Sequence, residues 1–233
     1  MKLIIIGCEY SGTTTLAVAI NDWLREQTGT DFRIIHDHWK IPHTSGHLPF
    51  DTSHFLNEEE QAEVLALSPK LKEMTQRHSL YYHMPRGNTD ANQVLVGYLF
   101  DDGIYGAHYF EYGRPIDPED RRIVGRHVEH GFLAEAPDTV LLLLRTDADV
   151  IRKRMQTAPH PAGVLQEQDI EFIQGRFEEE FKASLFSRKF VLDTSSATLY
   201  ETMAEFAEAI QPHLSEVDRS RILAHKALRG GGG

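Results

Sequence analysis

The residue types with the clearest potential for chemistry occur in one short stretch, Gly7-Cys8-Glu9-Tyr10-Ser11-Gly12-Thr13-Thr14. Its two glycines and final hydroxyl have the spacing of a phosphate-binding loop, G-x-x-x-x-G-K-[ST], except that Thr13 replaces the lysine. Backbone N–H groups of such a loop, together with the N-terminus of the following helix, bind an anion without side-chain help. The alternative is an ordinary strand-turn-helix whose glycines only close the turn. The binding interpretation places the anion at Gly7, Ser11, Gly12, Thr13, Thr14 and Thr15, with a magnesium contact at the Thr14 hydroxyl.

The sequence around this stretch alternates between strands and helices. Short, mostly apolar stretches at residues 3–6, 32–35, 94–96, 139–144 and 190–192 suit strands, and those that are apolar throughout suit strands covered on both faces. Helical periodicity separates them, as in residues 13–24, 166–185 and 199–210. Strands separated by helices form a parallel sheet with helices on both faces, so we predict an α/β fold with a five-stranded parallel sheet. The strand ends then share one edge, where ligands bind in such sheets; these ends are Gly7, Asp37, Gly97, Arg145 and Asp193.

Acidic residues follow two of the predicted strands. Asp37 comes after the second strand, where a carboxylate is placed to accept a proton from a hydroxyl, or only to cap or solvate the strand end. Asp101 and Asp102 follow the third strand. Carboxylates at that position suit a magnesium ion or its bound water, and they also suit a helix N-cap. The two interpretations of the aspartate pair are compatible.

The composition is that of an ordinary globular protein of about one domain. The 233 residues carry 24 Lys and Arg against 35 Asp and Glu, a net charge of −11 at pH 7. Such acidity disfavours nonspecific binding to nucleic acids and to membranes, so a phosphorylated ligand needs a locally positive pocket. The single cysteine excludes an internal disulfide and, with no apolar stretch of membrane-spanning length, predicts a cytoplasmic protein.

Residues 40–57 show no periodicity and contain His43, His47 and His54. An irregular segment of this length is usually functional or mobile. Its histidines lack the tight spacing of a zinc site, and no cysteine lies among them. We therefore expect an irregular histidine-rich segment here rather than a metal site.

The motifs and the order of elements together resemble the P-loop kinases of nucleosides and nucleoside monophosphates, in particular the deoxynucleoside kinase and thymidylate kinase group. The resemblance covers the chain to about residue 212. It implies a three-layer P-loop NTPase fold for residues 1–213 with a short lid at about 156–165, followed by a C-terminal helix and glycine tail at 214–233. It also implies ATP and Mg²⁺ as cofactors, a nucleotide or nucleoside as substrate, and allows a homodimer.

The resemblance gives roles to individual residues. Asp37 and Trp39 are similar to the acidic residue and tryptophan that follow the second strand in these kinases, which implies Asp37 as the general base. The stretch containing Asp193 and Thr194 resembles the loop that passes the adenine, and Arg154 is implied as a catalytic phosphate contact before the lid. The implied substrate contacts are Trp39, Gln76, Arg77 and Tyr105.

Three departures from the kinase pattern remove positive charge. Thr13 replaces the catalytic lysine, Gly97-Tyr98 stands where the family has an acidic residue and an arginine, and residues 156–163 contain no arginine. Phosphoryl transfer depends on positioned positive charge, so each loss argues against turnover. The candidate replacements are Arg114, Arg121, Arg122, Arg152 and Arg154.

Two other functions fit the same loop. The stretch from Ser11 to Thr14 is similar to the S-G-T-T core of sulfotransferases, which use 3′-phosphoadenylyl sulfate and carry a lysine where this chain has Tyr10. The combined loss of cations also fits a nucleotide-binding module without turnover. The predicted function is a nucleoside or nucleotide kinase, with a sulfotransferase and a catalytically degenerate binding module as alternatives.

Overall fold

The computed structural model describes residues 1–36, 39–42, 47–48, 56–85, 92–160 and 163–230, and within them the chain forms one central sheet. The strands are β1 (Lys2–Ile6), β2 (Arg33–Ile35), β3 (His47–Leu48), β4 (Gln93–Val96), β5 (Val140–Arg145) and β6 (Arg188–Asp193). Their order across the sheet is β3-β2-β4-β1-β5-β6, so β1 lies inside the sheet, between β4 and β5.

Five of these strands are parallel, which confirms the predicted sheet, and β3 is an addition to it. β1 pairs with β4 through Ile4 and Leu95, and with β5 through Ile4 and Leu141. β3 runs antiparallel to β2, with Ile35 opposite His47, inside the segment that the sequence predicts to be irregular. A strand of two residues has no periodicity, so the pattern could not reveal it.

Helices cover the sheet on both faces. They are α1 (Thr13–Thr28), α2 (Glu58–Ala66), α3 (Pro69–Tyr82), α4 (Tyr98–Tyr109), α5 (Arg121–Glu135), α6 (Ala148–Thr157), α7 (Ile170–Ala183), α8 (Leu199–Ala209) and α9 (Glu216–Gly230). Alternation along β1 divides the core: Leu3 and Ile5 pack on the side of α1 and α8, whereas Ile4 and Ile6 pack on the side of α4, α5 and α7. All four side chains are fully buried, as expected of a strand covered on both faces.

The paired aspartates lie inside α4 rather than at its cap. Gly97 is the N-cap, with a φ of 85° in the left-handed region that favours glycine, and α4 starts at the next residue. A side chain at position 97 would clash with the carboxyl group of Asp101, which therefore folds back over the end of β4. The prediction that Asp101 or Asp102 caps this helix is wrong.

The part of the chain beyond the last core helix forms α9, which packs against α1. The carboxylate of Asp218 in α9 forms a buried ion pair of 3.1 Å with the amino group of Met1. This pair ties α9 to the start of β1. None of the helices in the described ranges is long and apolar enough to cross a lipid bilayer.

Candidate active site

The loop between β1 and α1 has the backbone of an anion site. Gly12 caps α1 with a φ of 95°, which a residue with a side chain adopts only at a cost. The Ser11 N–H donates to the Cys8 carbonyl at 3.0 Å and closes a turn within the loop. The first N–H groups of a helix have no intrahelical acceptors, and α1 has no side-chain cap. The amides of residues 13–15 are therefore placed to bind an anion at the positive end of α1.

Arg154 of α6 fastens this loop to the end of β6. Its two terminal nitrogens donate to the carbonyl of Tyr10 at 2.8 Å and to that of Thr194 at 3.0 Å. The Thr194 hydroxyl lies 2.9 Å from the Ser11 carbonyl and 2.6 Å from the Thr146 hydroxyl. The structure thus brings three of the predicted site residues together: Ser11, Arg154 and Thr194.

The charge of Arg154 is not neutralised by a carboxylate in the part of the chain that the structure describes. Burial lowers the pKa of Arg154, but an arginine keeps its proton in proteins. The other arginines considered as replacements for the missing cations are all paired with acidic side chains. These pairs are Arg114–Glu111, Arg121–Glu73, Arg122–Asp120 and Arg152–Asp149. Of these candidates, Arg154 is therefore the one that contacts the loop without a carboxylate partner in the described ranges.

Tyr10 connects the loop to the segment that follows α6. Its ring stacks on that of His160 with centroids 4.1 Å apart, and the His160 N–H donates to the Tyr10 hydroxyl at 3.1 Å. Tyr10 has a φ of 66°, a backbone conformation that costs an aromatic residue free energy. A strained loop residue thus contacts the predicted lid region.

Glu9 forms the charged centre of the loop. One oxygen of its buried carboxylate accepts the N–H groups of Val164 at 3.0 Å and Leu165 at 2.6 Å, and the other pairs with Lys40 at 2.7 Å. The Glu9 N–H donates to the Tyr105 hydroxyl at 3.0 Å. Burial acts to raise the pKa of Glu9, but Lys40 and the Leu165 amide outweigh burial, so this pKa lies below its ordinary value.

The substitution Glu9→Gln tests this buried pair through the pH dependence of stability. Because the pKa in the folded protein is below 4.5, ionised Glu9 stabilises the fold at neutral pH, and this contribution is lost as the pH falls through the lowered pKa. We expect Glu9→Gln to lower the Tm at about pH 7, and the difference from wild type to shrink below about pH 4.5. Thermal unfolding followed by circular dichroism measures both. A difference that grows in acid contradicts the assignment.

The candidate magnesium ligands Thr14 and Asp101 lie at the same edge of the sheet. The Thr14 hydroxyl oxygen is 3.1 Å from Nε2 of His36, which follows β2. Burial, Glu9 and Asp101 raise the pKa of the Cys8 thiol. The Asp101 carboxyl group lies against Gly97 at the end of β4, the strand next to β1. Within the described ranges, no group of three or more His, Cys, Asp or Glu side chains could hold a metal ion. Thr14 and Asp101 therefore suit Mg²⁺ of the kind that binds together with a nucleotide. In such sites the protein supplies few ligands, and phosphate oxygens supply others.

Asp102, the third predicted metal ligand, lies in a buried polar network, and its role as a ligand stays a prediction. Its fully buried carboxylate accepts from Nε of Arg121 at 2.6 Å and from the Tyr112 hydroxyl at 2.8 Å. Arg121 also pairs with Glu73 of α3 at 2.8 Å. Burial lowers the pKa of Arg121, but the Asp102 and Glu73 carboxylates outweigh burial and the net shift is upward. Asp102 therefore joins α4 to α5 and α3.

The two predicted substrate contacts on α3 lie on different faces of that helix. Gln76 is fully buried, and neither polar atom of its amide has a hydrogen-bond partner among the residues that the structure describes. Buried amides without partners are rare and costly, so this side chain is a candidate for contact with a ligand. The side chain of Arg77 is 47% exposed and pairs with Glu73 at 3.3 Å. The structure does not bring Arg77 and Gln76 to one site.

Trp39 and Tyr105 are buried beneath the site. The Trp39 indole N–H donates to the Val96 carbonyl at 2.6 Å, and its ring meets that of Tyr98 edge-on with centroids 5.0 Å apart. The Tyr105 hydroxyl is occupied by the Glu9 N–H. Both side chains are packed in the core, and the predicted contact of each with substrate stays a prediction.

The remaining predicted residues are Asp37 and Asp193. Asp37, the predicted general base, lies outside the described residues, as does most of the histidine-rich segment. Asp193 ends β6, and hydrogen bonds from the Ser195 side chain and from the Ser195 N–H, the latter at 2.8 Å, lower the pKa of its carboxyl group. It shapes the turn after β6, while the neighbouring Thr194 makes the contact with the loop.

Sequence reasoning missed Glu9, Lys40 and Tyr10 as parts of the site. Glu9 offered one signal: a carboxylate inside a loop that binds anions needs a cation or amide donors to compensate it. Its partners lie 31 and more than 150 residues away in the chain, so local patterns could not identify them.

Comparison with family models and with curated proteins gives no match. Solved structures do match. The YorR protein of Bacillus subtilis, in complex with phosphorylated GDP, is 14% identical with a TM-score of 0.55, covering 93% of this chain and 100% of that chain. Deoxyadenosine kinase from M. mycoides with bound dATP is 14% identical with a TM-score of 0.57, covering 89% and 98%.

Thymidylate kinase from Candida albicans is also 14% identical, with a TM-score of 0.56 and coverage of 91% of this chain and 93% of that chain. At this level of identity the likeness establishes the fold, and the function must be argued from the site. The chain has the three-layer fold of the P-loop nucleoside and nucleoside monophosphate kinases.

Proposed function

We propose that the protein transfers the γ-phosphoryl group of ATP to a nucleoside or a nucleoside monophosphate. The observation that carries this proposal is the phosphate-binding loop with Arg154 fixed against it and unpaired with any carboxylate in the described ranges. A guanidinium beside backbone amides and a helix N-terminus stabilises phosphate. The fold shared with deoxyadenosine and thymidylate kinases supports the same class of reaction.

In this proposal the backbone of residues 7–15 holds the triphosphate, and Thr194 lies where the chain passes the adenine. Thr14 and Asp101 would hold Mg²⁺ together with phosphate oxygens, and the ion would supply charge that neutralises the phosphates. The acceptor side is bounded by Gln76 and Tyr105.

The transfer forms a bond between the acceptor oxygen and the γ-phosphorus and breaks the bond to the oxygen that leaves with ADP. Where the acceptor is a hydroxyl, its proton passes to a general base, and we assign this role to Asp37. The guanidinium of Arg154 stabilises negative charge on the phosphate oxygens during the transfer.

Gln76→Leu is expected to raise stability and lower acceptor binding at the same time. Removing a buried amide that has no partner in the described part of the chain raises the free energy of unfolding by about 1–3 kcal/mol. Loss of the same amide weakens acceptor binding by about tenfold or more, since the nucleobase of the acceptor loses hydrogen bonds in a buried site. Urea denaturation and the KM for the acceptor measure the two effects.

The matched control for Gln76→Leu is Arg77→Leu on the exposed face of the same helix, which we expect to change acceptor KM little. If Gln76→Leu leaves the acceptor KM at the wild-type value, Gln76 is not a substrate contact.

A nucleotide-binding module without turnover is the second candidate, and Thr13 in place of the lysine favours it. Thermal shift assays with different nucleotides test binding directly, because a ligand that binds the native state alone must raise the Tm. We expect ATP with Mg²⁺ to stabilise the protein. A shift with 3′-phosphoadenylyl sulfate and none with ATP would support the sulfotransferase instead.

We further propose a cytoplasmic homodimer that forms through the outer face of α3. Four large apolar side chains of this helix are between 42% and 55% exposed: Leu71, Met74, Tyr81 and Tyr82. Exposed apolar groups at helical spacing are typical of an interface. Light scattering coupled to size exclusion measures the mass, and Met74→Glu should convert a dimer to a monomer.

A further inference from the structure

We propose that Lys40 supplies the positive charge that the loop lysine and the lid arginines would otherwise bring to the transferred phosphoryl group. This inference rests on the proposed phosphotransferase function and assigns one more residue to it. Lys40 follows β2 and is remote from the loop in sequence. Its ammonium nitrogen nevertheless lies 2.7 Å from the carboxylate of Glu9, the third residue of the loop.

Lys40 is buried against an acidic partner and an aromatic ring. The side chain is 10% exposed, and it faces the ionised Glu9 carboxylate. Its ammonium group also lies 5.5 Å from the centre of the Tyr105 ring, within cation–π distance. Burial and Glu9 raise the pKa of the neighbouring Cys8 thiol, which stays neutral and does not compete for the lysine. A buried ammonium group is thus held directly at the loop.

The Glu9 carboxylate does not depend on Lys40 alone. It keeps the N–H groups of Val164 and Leu165 when the lysine leaves. A triphosphate carries more negative charge than one carboxylate. The long side chain of Lys40 can rotate, so that its ammonium group leaves the Glu9 carboxylate and pairs with a phosphate oxygen. Glu9 therefore holds Lys40 beside the loop before the nucleotide binds, and its carboxylate keeps two hydrogen bonds afterwards.

Lys40 and Arg154 approach the loop from opposite sides. Arg154 reaches from α6 to the end of β6 and donates to the carbonyls of Tyr10 and Thr194, whereas Lys40 comes from the end of β2, on the other side of β1. Together they place two cations around the loop in which Thr13 replaces the lysine. The positive charges of Lys40 and Arg154, which lie outside the phosphate-binding motif, thus compensate for the lysine that Thr13 replaces.

Isothermal titration calorimetry with ATP and Mg²⁺, and with ADP as the control ligand, tests this role. We expect Lys40→Met to weaken ATP binding by about tenfold or more, because a phosphate loses its charged partner, and ADP binding by much less. Adding Thr13→Lys to Lys40→Met should restore most of the ATP affinity, since it returns an ammonium group to the motif position. A lysine with a purely structural role would not be rescued in this way.

Lys40→Met leaves Glu9 buried without its cation, so the neutral pair Glu9→Gln/Lys40→Met is measured as well. The same selective loss of ATP affinity in this pair supports the proposal. Wild-type ATP affinity in a folded Lys40→Met or neutral-pair variant, or failure of Thr13→Lys to rescue, overturns the role of Lys40 and leaves the proposed function standing. A wild-type protein that binds neither ATP nor ADP overturns both.

Discussion

Arg154→Met is expected to lower kcat for phosphoryl transfer by about 100- to 1,000-fold, the usual effect of removing one positioned donor to developing negative charge. The guanidinium is fixed against the loop by the carbonyls of Tyr10 and Thr194. Its charge is directed at the loop because no carboxylate of the described chain pairs with it. Formation of ADP and of the phosphorylated acceptor, separated by chromatography, measures the loss.

Arg152→Met is the matched control on the same helix. Arg152 pairs with Asp149 and Glu171 on the surface, so its removal should change kcat by no more than about fivefold. An unchanged kcat in Arg154→Met, or an equal loss in both variants, contradicts the role of Arg154 in the transfer.

Arg121→Met is expected to lower the free energy of unfolding by about 3–5 kcal/mol, the cost of leaving buried carboxylates without their cation. The guanidinium is 3% exposed and joins Asp102 of α4 to Glu73 of α3, with the Tyr112 hydroxyl completing the network. Without it, the carboxyl groups of Asp102 and Glu73 remain in the core between these helices with no cationic partner from Arg121. Chemical denaturation in urea gives the change directly.

The neighbouring Arg122 provides the comparison for this buried network. It pairs with Asp120, but its side chain is 51% exposed, so Arg122→Met should cost no more than about 1 kcal/mol. Asp102→Asn should also destabilise the protein, whereas a magnesium ligand at this position would affect activity and leave stability unchanged. Equal stability of Arg121→Met and wild type would refute the structural assignment of Asp102.

The fold could be predicted because its signals are local. Continuous apolar runs such as residues 139–144 mark buried strands, and the glycine spacing before Thr14 marks the turn between β1 and α1. The parallel order then follows from helices that separate the strands. The edge strand β3 was not predicted because a strand of two residues has no hydrophobic periodicity.

The candidate site was less predictable because its contacts join distant parts of the chain. Asp101 and Asp102 are adjacent and chemically identical, yet helical rotation turns one towards Gly97 and the other towards Arg121. The same rotation separates Gln76 from Arg77. The pairing of Glu9 with Lys40 requires the end of β2 to lie beside the loop, which depends on strand order rather than on any motif.

The most direct test of the proposed function is transfer of labelled phosphate from γ-³²P ATP, with Mg²⁺, to a panel of nucleosides and nucleoside monophosphates. The anion-binding loop and its flanking cations predict that label appears in at least one acceptor, and that Arg154→Met abolishes most of this transfer. Label that stays in ATP with every acceptor, while ATP still raises the Tm of the same preparation, would contradict phosphoryl transfer and leave a nucleotide-binding protein.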